Sequence, residues 1–118
     1  MRFLSIFTHE GQNTPPTEAE MAAMGKLIEE GMSKGWLIAT EGVSFGATGI
    51  RLHKPAKGDI RVTDGPFTEA KEVIGGYALL KAESKAEVIA LTKKFLGAVS
   101  QGTCEIYELY EPSHGPRP

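Results

Sequence analysis

Val62-Thr63-Asp64-Gly65-Pro66-Phe67-Thr68-Glu69-Ala70-Lys71-Glu72-Val73-Ile74-Gly75-Gly76-Tyr77-Ala78-Leu79-Leu80-Lys81-Ala82 ends one structural unit and launches the next. Asp-Gly-Pro forces a sharp turn, because Gly tolerates φ > 0 while Pro fixes its own φ and restricts the residue before it. Gly76 to Ala82 then reads as a strand with apolar side chains on both faces. Before the turn, Gly49-Ile50-Arg51-Leu52-His53 and Ile60-Arg61-Val62-Thr63 are short alternating runs joined by Lys54 to Asp59, which predicts a β-hairpin.

The flanking segments complete a repeating order. Residues 2–8 alternate as a strand, and a loop runs from Gly11 to Pro16. Thr17, with Glu20 three residues on, reads as a capping box opening a helix whose Met21, Met24, Leu27, Ile28 and Met32 recur at helical spacing as a core stripe. Lys34-Gly35 closes that helix, Trp36 to Thr40 forms a strand, and Glu41 to Thr48 is a Gly-rich connection. Beyond Ala82, Ser84 and Glu87 cap a second helix with the stripe Val88, Leu91 and Phe95, plus Ile89 and Leu96. Thr103 to Tyr110 is the last strand.

The order β-α-β, hairpin, β-α-β specifies an α+β fold, the ferredoxin-like split βαβ with an inserted hairpin. Two helices cover one sheet face. Strands 2–8 and 76–82 are apolar on both, so the other face needs a cover, and a second copy of the sheet is the simplest one. A homodimer with sheets face to face, enclosing a barrel-like core, is therefore expected. Ligands are expected in the cleft beside each helix or between helix and sheet.

Composition narrows the classes of function. The 118 residues carry a net charge of −2 and make one domain over residues 1–111, with 112–118 expected as a mobile Pro/Gly tail. The acidic balance argues against nucleic-acid binding, including RNA on the sheet. No run approaches membrane-spanning length, and no signal sequence is legible, so a cytoplasmic location with no membrane partner is expected. Cys104 is the only cysteine and reads as a reduced, buried thiol.

Candidate chemistry centres on Asp64. A carboxylate before Gly-Pro can cap its own turn, or serve as a general acid/base or ligand anchor held rigidly by that turn. Lys71 and Glu72 are either part of a solvated charged loop or, respectively, an anion-binding group and a carboxylate sharing a proton with Asp64. Arg51, His53, Arg61 and Thr63 share one hairpin face, where His53 would be the proton carrier if the face lines a cleft. His9 ends the first strand, and Tyr77 offers a wall to a ligand. The three histidines have no metal-binding spacing, and neither a Walker A, a GxGxxG nor a GxSxG pattern occurs, so neither metal nor cofactor is expected.

Asp64-Gly65-Pro66-Phe67, with Glu69, Lys71, Glu72 and the Gly75-Gly76-Tyr77 that follows, resembles the YCII-related family, and in particular its DGPF subgroup. The resemblance runs from the opening strand to Glu105-Ile106-Tyr107-Glu108-Leu109. It implies a dimeric α/β barrel and a family largely without assigned function, whose founding branch uses a His–Asp pair with the histidine on the first helix. Helix 17–35 here has no histidine. Only Asp64 carries over, with His9 or His53 in the partner's place. Other members of the subgroup imply an alternative, a non-catalytic interaction module accessory to a sigma factor.

Overall fold

The structure is a computed structural model and describes residues 1–9, 16–43, 49–65 and 73–110. Six strands and two helices follow in the order β1 (Arg2–His9), α1 (Glu18–Lys34), β2 (Leu37–Gly42), β3 (Ile50–His53), β4 (Arg61–Asp64), β5 (Val73–Lys81), α2 (Lys85–Gly97) and β6 (Thr103–Glu108). β2, β5, β1 and β6 form a four-stranded sheet in that spatial order, with every pairing antiparallel. With the hairpin set aside, this arrangement of an antiparallel sheet and two helices is compatible with a ferredoxin-like fold. β3 and β4 form a separate two-stranded sheet.

Local chemistry sets both helices. At α1, the Glu20 N–H donates to Thr17 Oγ1 (3.1 Å) and the Thr17 N–H donates to Glu20 Oε1 (2.9 Å), so the expected capping box is complete. Gly35 ends the helix at φ 83°, a left-handed conformation open to glycine. At α2, the Glu87 N–H donates to Ser84 Oγ (3.1 Å), but the Glu87 carboxylate accepts from the Glu83 N–H (3.1 Å), one residue outside the expected box.

The core is small and sits at one end of the sheet. Phe3, Leu37, Leu80, Ala82 and Val88 are buried, with Ile28, Trp36, Ala78, Leu91 and Ile106 packed around them. Cross-strand pairing explains the cluster: Leu80 lies opposite Phe3 on one side and Leu37 on the other. Leu4, Ile6 and Leu79 alternate to the opposite face, where neither helix of the described residues covers them.

Two expectations need correction. β5 begins at Val73, three residues before the expected start at Gly76, so both glycines lie inside the strand. Strand pairing carries the backbone through it: Gly76 lies opposite both Phe7 and Gly42, and the Val43 N–H donates to Gly75 O (2.9 Å). The methionines of α1 are not core. Met21 and Met32 are exposed, and Met21 and the half-buried Met24 line a cleft between α1 and the sheet instead of filling it. The stretches Pro66–Glu72 and 112–118, and with them Lys71, Glu72 and the expected tail, lie outside the described residues.

Candidate functional site

The cleft between the helices and the sheet has a volume of about 800 Å³. Its floor is the helix-facing side of β1 and β5, including Ser5, Phe7, Ala78 and Leu80; α1 and α2 close it with Met24, Ile28, Leu91 and Phe95. At the end remote from the core, Phe7 dominates. Its ring meets Phe95 edge-on, with centroids 5.3 Å apart and planes at 81°, and lies 6.2 Å from the His9 ring.

Two glycines make room for that ring. A Cβ on Gly75 would stand 2.7 Å from Phe7 Cδ2 and 3.1 Å from His9 Cδ2. One on Gly102, where φ is +154°, would overlap the Phe7 ring from β6's side. Phe7 is thus held between two stretches of bare backbone. Gly75 of the signature stretch leaves room for an aromatic wall, while Gly76 lets the β2 backbone at Glu41 and Gly42 approach closely, roles their sequence setting does not reveal.

The polar side chains around the cleft are mostly committed to one another. Thr40 Oγ1 donates to Tyr77 O (2.8 Å), Thr92 Oγ1 donates to Val88 O (2.8 Å), and Tyr77 OH donates to Glu41 Oε2 (3.2 Å). The bond to Glu41, reinforced by that group's charge, raises the pKa of the Tyr77 phenol. At the other rim, the backbone bond from Thr17 holds the Glu20 carboxyl below its ordinary pKa. Neither Lys nor Arg occurs among the described residues lining the cleft; its acids are Glu20 and, at the β2 edge, Glu41, which pairs with Tyr77 and shares the strand parity of Ile6 rather than of the floor residues. Cys104 is half-buried, its pKa raised by burial and lowered in part by a hydrogen bond with Ser5.

The candidate residues fall in three places. His9 and Tyr77 line the cleft. Arg51, His53 and Asp64 are exposed on the hairpin and do not line it. Lys71 and Glu72 lie outside the described residues. Within the hairpin the register separates the candidates further. Asp64 pairs with Ile50 and Val62 with Leu52, placing the carboxylate on the apolar face; Arg51 pairs with Thr63 and His53 with Arg61 on the opposite one. The candidates nearest in kind to a His–Asp pair, His53 and Asp64, therefore face opposite ways. Sequence reasoning passed over Phe7, Phe95, Glu20 and Glu41; the one legible signal was that Ser5, Phe7 and His9 share the parity of buried Phe3. Among the described residues no group of three or more His, Cys, Asp or Glu side chains could hold a metal ion. No helix there is long and apolar enough to cross a membrane.

Residues 1–113 match the YCII-related domain. No curated protein matches the chain in sequence. Among solved structures, 5-chloro-2-hydroxyhydroquinone dehydrochlorinase from Burkholderia phenoliruptrix AC1100, in complex with 2,5-dihydroxybenzoquinone, aligns over 98% of this chain and 100% of its own, at 17% identity and a TM-score of 0.44. A likeness of that order carries no conclusion about chemistry.

Proposed function

The chain belongs to the YCII-related family, and from that premise we propose that it is a small-molecule-binding or enzymatic protein whose ligand occupies the cleft between helices and sheet. The observation that carries the reading is the cleft itself. Its volume of about 800 Å³ is within the range of small-molecule sites, and it is walled by Phe7, Phe95, Trp36 and aliphatic side chains. Its lining carries carboxylates and neither Lys nor Arg among the described residues, which disfavours an anion, and its apolar walls suit a molecule with an apolar, ring-sized body. His9, at the aromatic end, is the group placed to exchange a hydrogen bond or proton with it. Asp64, the carboxylate that the signature supplies, does not line this cleft, and it is proposed as an acid/base or anchor only for a ligand that reaches the hairpin.

The Asp64-Gly65-Pro66-Phe67 run supports membership of the DGPF subgroup. The apolar outer face of the sheet, with Leu4, Ile6 and Leu79, supports a homodimer closing into an α/β barrel. A lone cysteine supports a reducing, cytoplasmic setting. The rival reading, a non-catalytic module accessory to a sigma factor, draws support from the exposed apolar hairpin but leaves the cleft without a purpose.

Titration with the neutral dye N-phenylnaphthylamine, followed by fluorescence, tests the cleft. Saturable binding is expected, tighter than for the anionic anilinonaphthalene sulfonate, and lost in Ala78→Leu, which fills the floor. Equal binding to wild type and Ala78→Leu would overturn the reading.

A further inference from the structure

Trp36 stands where the core and the cleft meet. It packs against the buried cluster around Leu37 and Leu80, and it also lines the cleft. Its backbone is fixed on both sides. Gly35 turns the chain out of α1 in a left-handed conformation, and the Lys81 N–H donates to Trp36 O (2.8 Å). Gly31, the buried residue of α1, seats the ring: a Cβ there would lie 2.9 and 3.0 Å from Trp36 Cη2 and Cζ2, and 2.8 Å from Leu37 Cβ. Glycine inside a helix is unfavourable against alanine, and here it lets the edge of the indole rest on bare helix backbone.

The floor of the cleft gives the ring a second meaning. Phe7 lies opposite Gly76 across β1 and β5, and Phe3 lies opposite Leu80 four residues along, a span of roughly 13 Å. Between these rows the directly paired Ser5 and Ala78 are small. The floor is therefore low between an aromatic end at Phe7 and Phe95 and a far end at Trp36. We infer that Trp36 fixes how long a ligand the cleft accepts, with Gly31 as the residue that positions it. The ligand is an elongated apolar molecule with a ring beside Phe7 and Phe95 and a tail that stops at the indole. The inference rests on the cleft as ligand site and goes further, since it gives that ligand a shape and a length limit. Because the indole borders both core and cleft, a smaller side chain at position 36 joins the space it vacates to the cleft.

Neutral phenyl alkyl ketones of increasing tail length, from acetophenone to octanophenone, test this by displacing N-phenylnaphthylamine from the full chain. In wild type, affinity is expected to rise about fourfold per added methylene and to stop rising once the tail reaches the indole. In Trp36→Leu the rise is expected to continue to longer tails. Octanophenone then binds that variant roughly tenfold or more tighter than wild type, while acetophenone binds both alike. Comparing tails within one variant cancels any general loss of stability. If Trp36→Leu does not fold, NOEs in the wild type decide, expected between the indole protons of Trp36, the chain's only tryptophan, and the terminal methyl of the longest ketone before the break. A break at the same tail length in both proteins, no break in wild type, or no such NOE overturns the inference and leaves the cleft standing as a ligand site. Failure of the dye and of every ketone to bind wild type overturns both.

Discussion

Gly75→Ala sets two known effects against each other, and the structure decides which wins. Replacing a strand glycine with alanine stabilises a protein by about 0.4–1 kcal/mol through the unfolded chain, provided the native conformation accepts it. Here the new Cβ would lie 2.7 and 3.0 Å from Phe7 Cδ2 and Cε2 and 3.1 Å from His9 Cδ2. Phe7 cannot retreat towards β6, because the backbone at Gly102 already fills that side. The ring must swing into the cleft, giving up its edge-on contact with Phe95, worth about 0.5–1.5 kcal/mol beyond area burial. Overpacking of this kind costs about 1–3 kcal/mol. The net is a loss of about 1–2 kcal/mol. An unfolding entropy of about 2.1 cal/mol/K per residue over 118 residues makes that a fall in Tm of roughly 4–8 °C. Circular dichroism melts measure it, with N-phenylnaphthylamine binding weakened in parallel. A Tm raised by a few degrees, as the entropy gain alone would give, refutes the proposed clamp on Phe7.

Three further outcomes follow from the geometry. Val88 is the most completely buried large side chain, 1% exposed, so Val88→Ala is expected to cost about 2 kcal/mol by urea unfolding, with an unchanged m-value. Thr17→Ala removes the hydroxyl half of the α1 capping box and is expected to cost about 1 kcal/mol, read as a lower urea midpoint. The Glu20 carboxyl has its folded pKa below the ordinary value of 4.5, so its contribution is present above that pH and is lost as pH falls through the lower folded value. Glu20→Gln is therefore expected to flatten the decline of Tm on acidification below about pH 4.5, and an unchanged acid slope counts against the bond from Thr17.

Much of the fold is legible in local pattern. Thr17-x-x-Glu20 and Ser84-x-x-Glu87 mark helix starts through chemistry confined to four residues, and parity in residues 2–8 groups Phe3, Ser5 and Phe7 on one face without saying which face the helices cover. The site is less legible because it depends on distance between layers. A stripe such as Met21, Met24, Leu27 and Ile28 says which side of α1 faces the sheet, but not whether side chains fill the gap. Gly75-Gly76 looks like a breaker, since no local rule shows that the Phe7 ring, far away in sequence, needs the room at Gly75. Asp64 is half legible. The turn residues beside it suggest a rigid carboxylate, while its parity with Val62 already places it on the apolar face, away from His53.

The cleft as ligand site is tested most directly by mapping where N-phenylnaphthylamine acts in a backbone- and methyl-labelled protein. Saturable chemical-shift changes are expected to concentrate at Phe7, His9, Met24, Ala78, Leu91 and Phe95. Changes confined to the hairpin, at Ile50–His53 and Arg61–Asp64, or none at dye saturation, would contradict it.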